Sequence, residues 1–345
     1  MTCSEVGRTQ AGPLGRSRGS GCRQLTGASK PTATSELHAP QAMVYYLREK
    51  PLDNSSQVGP MLDLETIKKY LRFSPTLYFN ASKFYHATPF CRRRIAKLDR
   101  EVSEQLRVRL EDECRILSEY FNDDWTVRHG PFTGMKYRPM TSGCLVLVPK
   151  IIGSYESLLH PWVIDAINQN YQKILNIGCG EGYYAVGFSL KSKASQVYAY
   201  DIDKKARDNV GALAHLNGTT DRVHVCDLCT KKGLQREITN NTLIFCDIEG
   251  HEFDLFRPNL IPALSWADLI IETHDVVCPG VTETLVRRFL PSHHVEVTYD
   301  CAKYAKDFPV LETIPVEKHA LFLDDGRKPG QAWIRLLAKR PLAIQ

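Results

Sequence analysis

Two short polar stretches hold side chains that could move a proton or bind a cation. Residues 247–252 read DIEGHE, and residues 272–275 read ETHD. Imidazole titrates near neutral pH, so His274 is the strongest candidate for a general base. Glu249 and Asp247 could assist it, and these three residues form the predicted catalytic set.

The carboxylates of the same stretches also suit a divalent cation. Mg²⁺ and Mn²⁺ prefer carboxylate oxygens and accept an imidazole, so Asp247, Glu249 and Glu272 form a predicted metal set. The alternative is structural, because an acid at the start of a helix can cap free backbone N–H groups. Capping or a surface role is the strongest alternative for Asp247 and Glu252. The sequence alone leaves base and metal catalysis open.

Each polar stretch follows an apolar run that predicts a buried strand. Residues 242–246 end at Asp247, and residues 267–271 end at Glu272. Other runs of this kind lie at 173–177, 196–200, 222–225, 294–298 and 333–338. Helical patterns separate them, at 161–171, 183–190, 204–217, 282–290 and 316–322. The alternation predicts a doubly wound α/β sheet of about seven strands. In such sheets ligands bind beyond the carboxyl ends of the strands, where both polar stretches lie.

A glycine-rich turn follows the first of these sheet strands. Gly178, Gly180 and Gly182 come after residues 173–177, and Asp201 ends the next strand. Glycines let backbone N–H groups approach a ligand where a Cβ would clash. An acid about 20 residues further on can accept both hydroxyls of a ribose. A dinucleotide fingerprint needs G-x-G-x-x-G, whereas the third glycine here comes one place early. A purely structural strand–turn–helix unit is the alternative.

The G-x-G-x-G spacing resembles the S-adenosylmethionine loop of class I methyltransferases. Asn176 departs from that pattern, because the family usually has Asp or Glu there; an Asn can still orient the loop by hydrogen bonds. The chain more specifically resembles the FkbM-type methyltransferases. Their Asp-x-Glu-Gly-x-Glu stretch stands here at 247–252, and their Ile-Glu-x-His stretch stands at 271–274. This resemblance covers about residues 150–340.

The resemblance implies a Rossmann-like methyltransferase sheet and S-adenosylmethionine-dependent O-methylation of a hydroxyl on a small molecule or a sugar-containing acceptor. It also implies a set of residues that contact the cofactor. These are Gly178, Gly180 and Gly182 at the methionine moiety, Asp201 at the ribose, Asp227 at the adenine amino group, and Tyr155 and Glu156 at the amino-acid end. For the segment around Asp227, a cysteine pair at the pocket edge is the alternative.

Composition divides the chain into three parts. Residues 1–42 are rich in Gly, Ser, Thr and Arg and hold too few apolar residues to fold, so we expect a disordered tail. A transit peptide and an over-long gene model are the alternatives for this tail. Residues 43–150 lie outside the common core of the family that the chain resembles and form a predicted cap, and caps of this kind often set substrate choice. Residues 151–345 form the predicted methyltransferase domain.

The predicted cap combines helices with a hairpin. Helical spacing of apolar residues occurs at 60–73 and 93–122. Alternating residues around two glycine turns predict a hairpin over residues 125–137. The apolar run at 145–148 predicts one further short strand.

Several classes of protein are disfavoured by composition. At 43% hydrophobic and 24% charged, the 345-residue chain is typical of soluble globular proteins, and its apolar runs are too short for a membrane span. The net charge is +5, of which residues 1–42 carry +3, from five basic against two acidic residues. The remaining +2 makes a weak case for nucleic-acid binding. Eleven scattered cysteines favour reduced thiols in the cytoplasm, and the lone CxxC at 226–229 does not favour a zinc site.

Two other function classes stay open at this stage. One is an NAD-dependent oxidoreductase on the same fold, which the early third glycine disfavours. The chain also lacks a recognisable hydride-transfer set such as Tyr-x-x-x-Lys. The other is a non-catalytic cofactor-binding module. The acceptor molecule and the oligomeric state, with a homo-oligomer as one alternative, are not fixed by the sequence.

Overall fold

The computed structural model describes residues 107–138, 146–192, 195–326 and 331–340. Within them lies one seven-stranded sheet with helices around it. The strands are β1 Lys173–Ile177, β2 Gln196–Tyr200, β3 Val223–Cys226, β4 Thr242–Cys246, β5 Asp268–Thr273, β6 His293–Tyr299 and β7 Ala332–Ala338. The predicted tail at 1–42 and the predicted helix at 60–73 lie outside the described residues.

The helices follow the strands in alternation. They are α1 over residues 107–121, α2 Val148–Ile152, α3 His160–Asn168, α4 Tyr183–Lys191, α5 Lys204–Leu216, α6 Lys231–Glu237, α7 Glu252–Leu255, α8 Val281–Phe289 and α9 His319–Leu323. The predicted helix at 316–322 is a 3₁₀ turn, Val316–Lys318, that continues into α9. Of the described helices, none has both the length and the apolar character that crossing a membrane requires.

The sheet has the doubly wound order of a Rossmann-like methyltransferase. Its strands lie in the order β3-β2-β1-β4-β5-β7-β6, with β7 antiparallel to both neighbours and the other pairs parallel. From β1 the chain winds outward through β2 and β3, and then returns to β4 on the opposite side. The carboxyl ends of β1 and β4 therefore flank the switch point of the sheet, where ligands bind in this architecture.

Buried strands explain why the sequence predicted this sheet well. The strands β1, β4 and β5 are covered on both faces, so they read as continuous apolar runs. Successive residues point to opposite faces. Leu243 and Phe245 belong to one apolar core, whereas Ile244 and Cys246 belong to the other.

The N-terminal elements pack against the first of these cores. Leu117 of α1 and Phe132 are fully buried in the core that also contains Phe245. The predicted hairpin at 125–137 is confirmed in a minimal form, as one antiparallel bridge between Thr126 and Lys136. The division into a cap and a methyltransferase domain stays a prediction, although α2 runs across residue 150.

The predicted strand at 145–148 is wrong. Val148 begins the helix α2, and the described residues before it, Val146 and Leu147, lie outside any strand. Pro149 favours the first turn of a helix, because its missing N–H needs no partner there. A four-residue apolar run fits a buried helix as well as a buried strand, so its pattern could not distinguish the two.

Candidate active site

The glycine-rich loop leaves β1 and passes directly against the end of β4. The backbone N–H groups of Gly178 and Cys179 donate to the Tyr200 carbonyl, at 2.9 and 3.0 Å. Gly178 has φ +76°, and a Cβ on it would lie 1.6 Å from the Asp247 carbonyl oxygen. Gly182 is the N-cap of α4 with φ +102°, and a Cβ there would lie 3.2 Å from the Val210 Cα. These glycines therefore allow close packing of the loop, β4 and α5.

Asp201 ties the glycine loop to the end of β2. Its Oδ2 accepts from the Gly180 N–H at 2.9 Å, and its Oδ1 accepts from the Asp203 N–H at 2.8 Å. A carboxylate has about four acceptor sites, so these bonds leave capacity for ligand hydroxyls. Asn176 does not orient the loop through a bond found here. Its Nδ2 donates to the Phe245 carbonyl at 3.3 Å.

The two polar stretches meet at the carboxyl ends of β4 and β5. His274 Nε2 lies 3.5 Å from Asp247 Oδ1, 3.5 Å from Glu249 Oε2 and 3.9 Å from Glu272 Oε1. The structure thus brings together all the residues of the predicted catalytic and metal sets. Glu249 has φ +54° in the loop after β4 and is exposed, whereas Glu272 and His274 are buried.

Glu252 is the member of this cluster whose role the sequence did not reveal. It is 0% exposed, and its Oε1 lies 2.8 Å from His274 Nδ1. The same oxygen accepts from the Gly250 N–H, which precedes α7, at 3.1 Å. The predicted surface role is wrong because Glu252 is fully buried, and α7 has no side-chain cap at its start. The signal available in the sequence was the apolar pair Phe253 and Leu255, both buried, which places α7 in the protein interior.

Burial and charge shift the pKa values of the two central groups. Burial lowers the pKa of His274, but its bond to Glu252 and the charges of Asp247 and Glu249 raise that pKa above 6.5 overall. Burial raises the pKa of Asp247 to about 7, against the opposing effect of His274. Asp247 Oδ1 and Glu252 Oε2 are buried and have no hydrogen-bond partner among the described residues. The cluster can therefore hold a proton or a cation near neutral pH.

Two donor sets could hold a metal ion here. Ligand atoms of Asp247, Glu252 and His274 lie within 4.8 Å of one another. Glu252 is already bonded to His274 Nδ1, however, so the opposite nitrogen is better placed for an ion. That nitrogen faces the predicted metal set, Asp247, Glu249 and Glu272. We therefore prefer the predicted set, with His274 as an added ligand.

The remaining predicted residues lie after β3 and before α3. Asp227 is exposed at the end of β3, on a surface cavity of about 660 Å³ that Tyr200 and Leu228 also line. Tyr155 and Glu156 precede α3 in the chain. The Glu156 carboxylate accepts from the Tyr184 hydroxyl on α4.

The seven cysteines within the described ranges are free thiols. Burial raises the pKa of the Cys229 thiol to about 12, so this residue of the CxxC is protonated at neutral pH.

A family model described as ribosomal protein L11 methyltransferase (PrmA) matches residues 158–265. The matched range contains the glycine loop, Asp201 and the loop after β4. It covers 108 of the 345 residues and supports a methyltransferase. It does not show the FkbM-type family, so that resemblance stays a prediction. No curated protein matches the chain.

Solved methyltransferase structures are similar to this chain at low identity. The human methyltransferase 10 domain containing protein is 14% identical with a TM-score of 0.42, over 69% of this chain and 97% of that chain. The O-methyltransferase from Bacillus cereus, in complex with SAH, is 12% identical with a TM-score of 0.37, over 70% and 97%. The O-methyltransferase TomG from Streptomyces achromogenes, in complex with SAM, is 11% identical with a TM-score of 0.36, over 52% and 80%. At TM-scores below 0.5 these likenesses carry no conclusion about activity.

Proposed function

We propose that the protein is an S-adenosylmethionine-dependent O-methyltransferase whose acceptor is a hydroxyl of a small or sugar-containing molecule. The observation that carries this proposal is the position of the His274 cluster. It lies beside the glycine loop, where the Asp247 carbonyl would meet a Cβ on Gly178. A proton-accepting group therefore stands next to the loop that would hold the methyl donor.

The cofactor would lie across the carboxyl ends of β1 and β2. Asp201 would accept the ribose hydroxyls, and Asp227 the adenine amino group. Two apolar side chains at neighbouring strand ends support an adenine between them. Ile202 follows Asp201 and is 78% exposed, and Leu228 follows Asp227 and is 60% exposed. Apolar groups of this size gain by covering a flat ring.

The residues of this chain would orient the acceptor hydroxyl and remove its proton. The bound cofactor supplies an already activated methyl group on its sulfonium. An ionised carboxylate can only accept, so the Nδ1–H of His274 would donate a hydrogen bond to Glu252 and Nε2 would be the free base. Nε2 would take the proton of the acceptor hydroxyl, and Glu252 would stabilise the imidazolium that forms.

The residues around Nε2 suit a divalent cation as a second candidate. Neighbouring ligands about 2.1 Å from an ion at octahedral angles lie roughly 3.0 Å apart. Asp247 and Glu249 each place an oxygen 3.5 Å from Nε2, so a small inward shift of both side chains would complete such a site. Mg²⁺ or Mn²⁺ held there would acidify the acceptor hydroxyl, and Glu252 would fix the His274 ring from behind.

Calorimetry with S-adenosylmethionine and S-adenosylhomocysteine tests the cofactor. A charge-assisted hydrogen bond is worth about 1.5–3 kcal/mol, so Asp201→Ala should weaken binding at least tenfold. Asp208→Ala is the matched control, because Asp208 is exposed and pairs only with Lys204 among the ion pairs found. No binding by the wild-type protein, or tight binding of NAD, would overturn the proposal. Mass spectrometry of the purified protein gives an independent test, since a bound cofactor would be detected directly.

A further inference from the structure

Glu249 lies at the exposed side of the His274 cluster, in a backbone conformation that is unfavourable for a glutamate. It has φ +54°, in the left-handed region, and its side chain is 77% exposed. Glycine adopts such a conformation without strain, and the loop has one at the next position, Gly250, with φ +100°. Strain of this kind is concentrated at functional sites. The carboxylate of Glu249 is therefore the feature that needs a function.

Packing between two loops fixes the backbone at Glu249. A Cβ on Gly250 would lie 2.6 Å from Val277 Cγ1, so the loops after β4 and β5 are in contact beside Glu249. Val276 and Val277 are each 41% exposed. The exposed side of the cluster therefore combines a negative charge with an apolar surface of the kind that covers a carbon skeleton.

The Glu249 carboxylate and the imidazole of His274 are two acceptors that face each other. Oε2 lies 3.5 Å from Nε2, which is longer than a hydrogen bond of about 2.7–3.2 Å. The His274 side chain is 4% exposed, and its ring is hydrogen-bonded to the described residues only through Nδ1. No hydrogen bond from a described residue satisfies Nε2 or Oε2. A ligand with two donors on neighbouring atoms would satisfy both.

We propose that the acceptor is a 1,2-amino alcohol, whose hydroxyl meets His274 Nε2 and whose ammonium group binds Glu249. Each group donates to one of the two acceptors. Staggered rotation keeps the oxygen and the nitrogen of such a molecule about 2.9–3.7 Å apart, which matches the 3.5 Å between Nε2 and Oε2. Amino sugars and simple amino alcohols share this arrangement. The assignment rests on the proposed function.

The charge around Nε2 favours an ammonium over a second hydroxyl. Asp247 Oδ1 also lies 3.5 Å from Nε2, and neither Asp247 nor Glu249 forms an ion pair with a lysine or arginine of the described residues. Coulomb attraction favours a cation at such a place, and it disfavours a phosphate or carboxylate on the acceptor. A vicinal diol fits the distance but leaves the charge uncompensated.

An ammonium at Glu249 would also direct the methyl group to oxygen. A free amine is a stronger nucleophile than a hydroxyl, but an ammonium has no lone pair with which to attack. Glu249 favours the protonated form, because an opposite charge nearby stabilises it. His274 accepts the proton of the hydroxyl, so the oxygen is the group that becomes nucleophilic.

A divalent cation at Asp247, Glu249 and His274 would occupy the same space. It would neutralise Glu249, so an ammonium would lose its electrostatic advantage there. EDTA removes such an ion. A preference for amino alcohols that persists in EDTA therefore comes from the carboxylates themselves.

Matched ligand pairs in calorimetry test the proposal. The pairs are glucosamine with glucose, and trans-2-aminocyclohexanol with trans-cyclohexane-1,2-diol, and each pair differs in one group. The wild-type protein is saturated with S-adenosylhomocysteine and kept in EDTA at pH 7. We expect the amino alcohol of at least one pair to bind about fivefold or more tightly than its diol, as a charge-assisted hydrogen bond at a partly exposed site predicts.

Variants of Glu249 should remove this preference. Glu249→Gln should reduce it to less than about twofold, because the amide keeps the shape and loses the charge. Glu249→Gly should do the same while it relieves the left-handed strain, so loss of folding would not explain the result. Glu283→Gln is the matched control and should keep the full preference, because Glu283 is an exposed glutamate of α8 that pairs with Arg287.

Two kinds of failure are distinguishable. If the wild-type protein does not bind S-adenosylhomocysteine, the proposed function fails and the amino alcohol site falls with it. If it binds S-adenosylhomocysteine but neither amino alcohol binds more tightly than its diol in EDTA, only the amino alcohol site is overturned. The same holds if Glu249→Gln weakens both members of a pair equally, or weakens neither.

Discussion

Glu252 Oε1 lies 2.8 Å from His274 Nδ1, and both side chains are buried. The contact fixes the imidazole so that Nε2 faces Asp247 and Glu249. A carboxylate behind a histidine in this way serves both general bases and metal ligands, because it sets the tautomer and strengthens the opposite nitrogen as an acceptor. The role of the cluster therefore depends on what Nε2 meets when the acceptor is bound.

His274→Ala tests whether this nitrogen takes the proton. We expect kcat to fall roughly a hundredfold or more with cofactor affinity unchanged, because general base catalysis contributes about that much. His294→Ala, on the exposed face of β6, is the matched control and should keep full activity. Turnover is measured as S-adenosylhomocysteine released with a candidate sugar or polyol. Full activity in both His274→Ala and Glu249→Ala would assign both residues to structural roles.

The pH dependence of kcat should report the bond between Glu252 and His274. The pKa of His274 is raised above 6.5, and only its neutral form can act as a base, so kcat should rise with pH through a midpoint above 6.5. Glu252→Gln removes a charge that favours the imidazolium, and the midpoint should move to lower pH. NMR titration of the histidine Cε1–H signals gives the same shift without turnover. If the midpoint does not move, the ionisation of His274 does not control kcat.

Chelation distinguishes the base from the cation. We expect EDTA to leave turnover unchanged, because Nε2 can accept the proton without a metal. If EDTA abolishes turnover and Mg²⁺ or Mn²⁺ restores it, His274 is a ligand instead. In that case Asp247→Ala and Glu249→Ala should each mimic chelation, and Mn²⁺ binding to the wild-type protein should be visible by electron paramagnetic resonance.

The sequence predicted those parts of the structure that local pattern determines. The strands around the site were found because buried parallel strands are continuous apolar runs, and the runs end at Asp201, Asp247 and Glu272. Local pattern cannot reveal partners that only the tertiary fold brings together. Asp325 reaches Glu156 across 169 residues of sequence, and its own neighbourhood gives no sign of that bond.

The role of Glu252 could not be found in the sequence for the same reason. Its sequence neighbours suggest a helix cap, and it does accept backbone N–H groups of its own loop. Its contact with His274 depends on the pairing of β4 with β5, which places the loops after both strands side by side. The predicted metal and catalytic sets lie close together because of this pairing, which the fold class allowed us to anticipate. The second function of Glu252 required the geometry.

Asp247→Asn should raise stability at the expense of activity. The pKa of Asp247 is raised from 3.8 to about 7, so the folded protein binds this proton more tightly than the unfolded chain. The contribution of Asp247 to the free energy of unfolding therefore falls as pH rises between about 4 and 7. Asn stays neutral, so urea denaturation should show a more stable variant at pH 8 and little difference at pH 4. Equal stability of both proteins at pH 8 would contradict the shift.

Gly178→Ala should show that close packing against the end of β4 requires a glycine at this position of the loop. Gly178 has φ +76°, and a Cβ would lie 1.6 Å from the Asp247 carbonyl oxygen. Left-handed strain and overpacking together cost roughly 2–6 kcal/mol, so the free energy of unfolding should drop by about that amount. Cofactor affinity should fall with it, because the loop and the end of β4 cannot keep their contact.

Gly211→Ala is the matched control for Gly178→Ala. Gly211 lies within α5, and a Cβ there meets nothing within 4 Å. Alanine in a helix interior is more favourable than glycine by about 0.5–1 kcal/mol, so this variant should be slightly more stable than the wild type. If steric contact with Asp247 is the cause, urea denaturation should show a lower free energy of unfolding for Gly178→Ala and a higher one for Gly211→Ala than for the wild type. A stable Gly178→Ala protein with full cofactor affinity would mean that the loop can move away from β4.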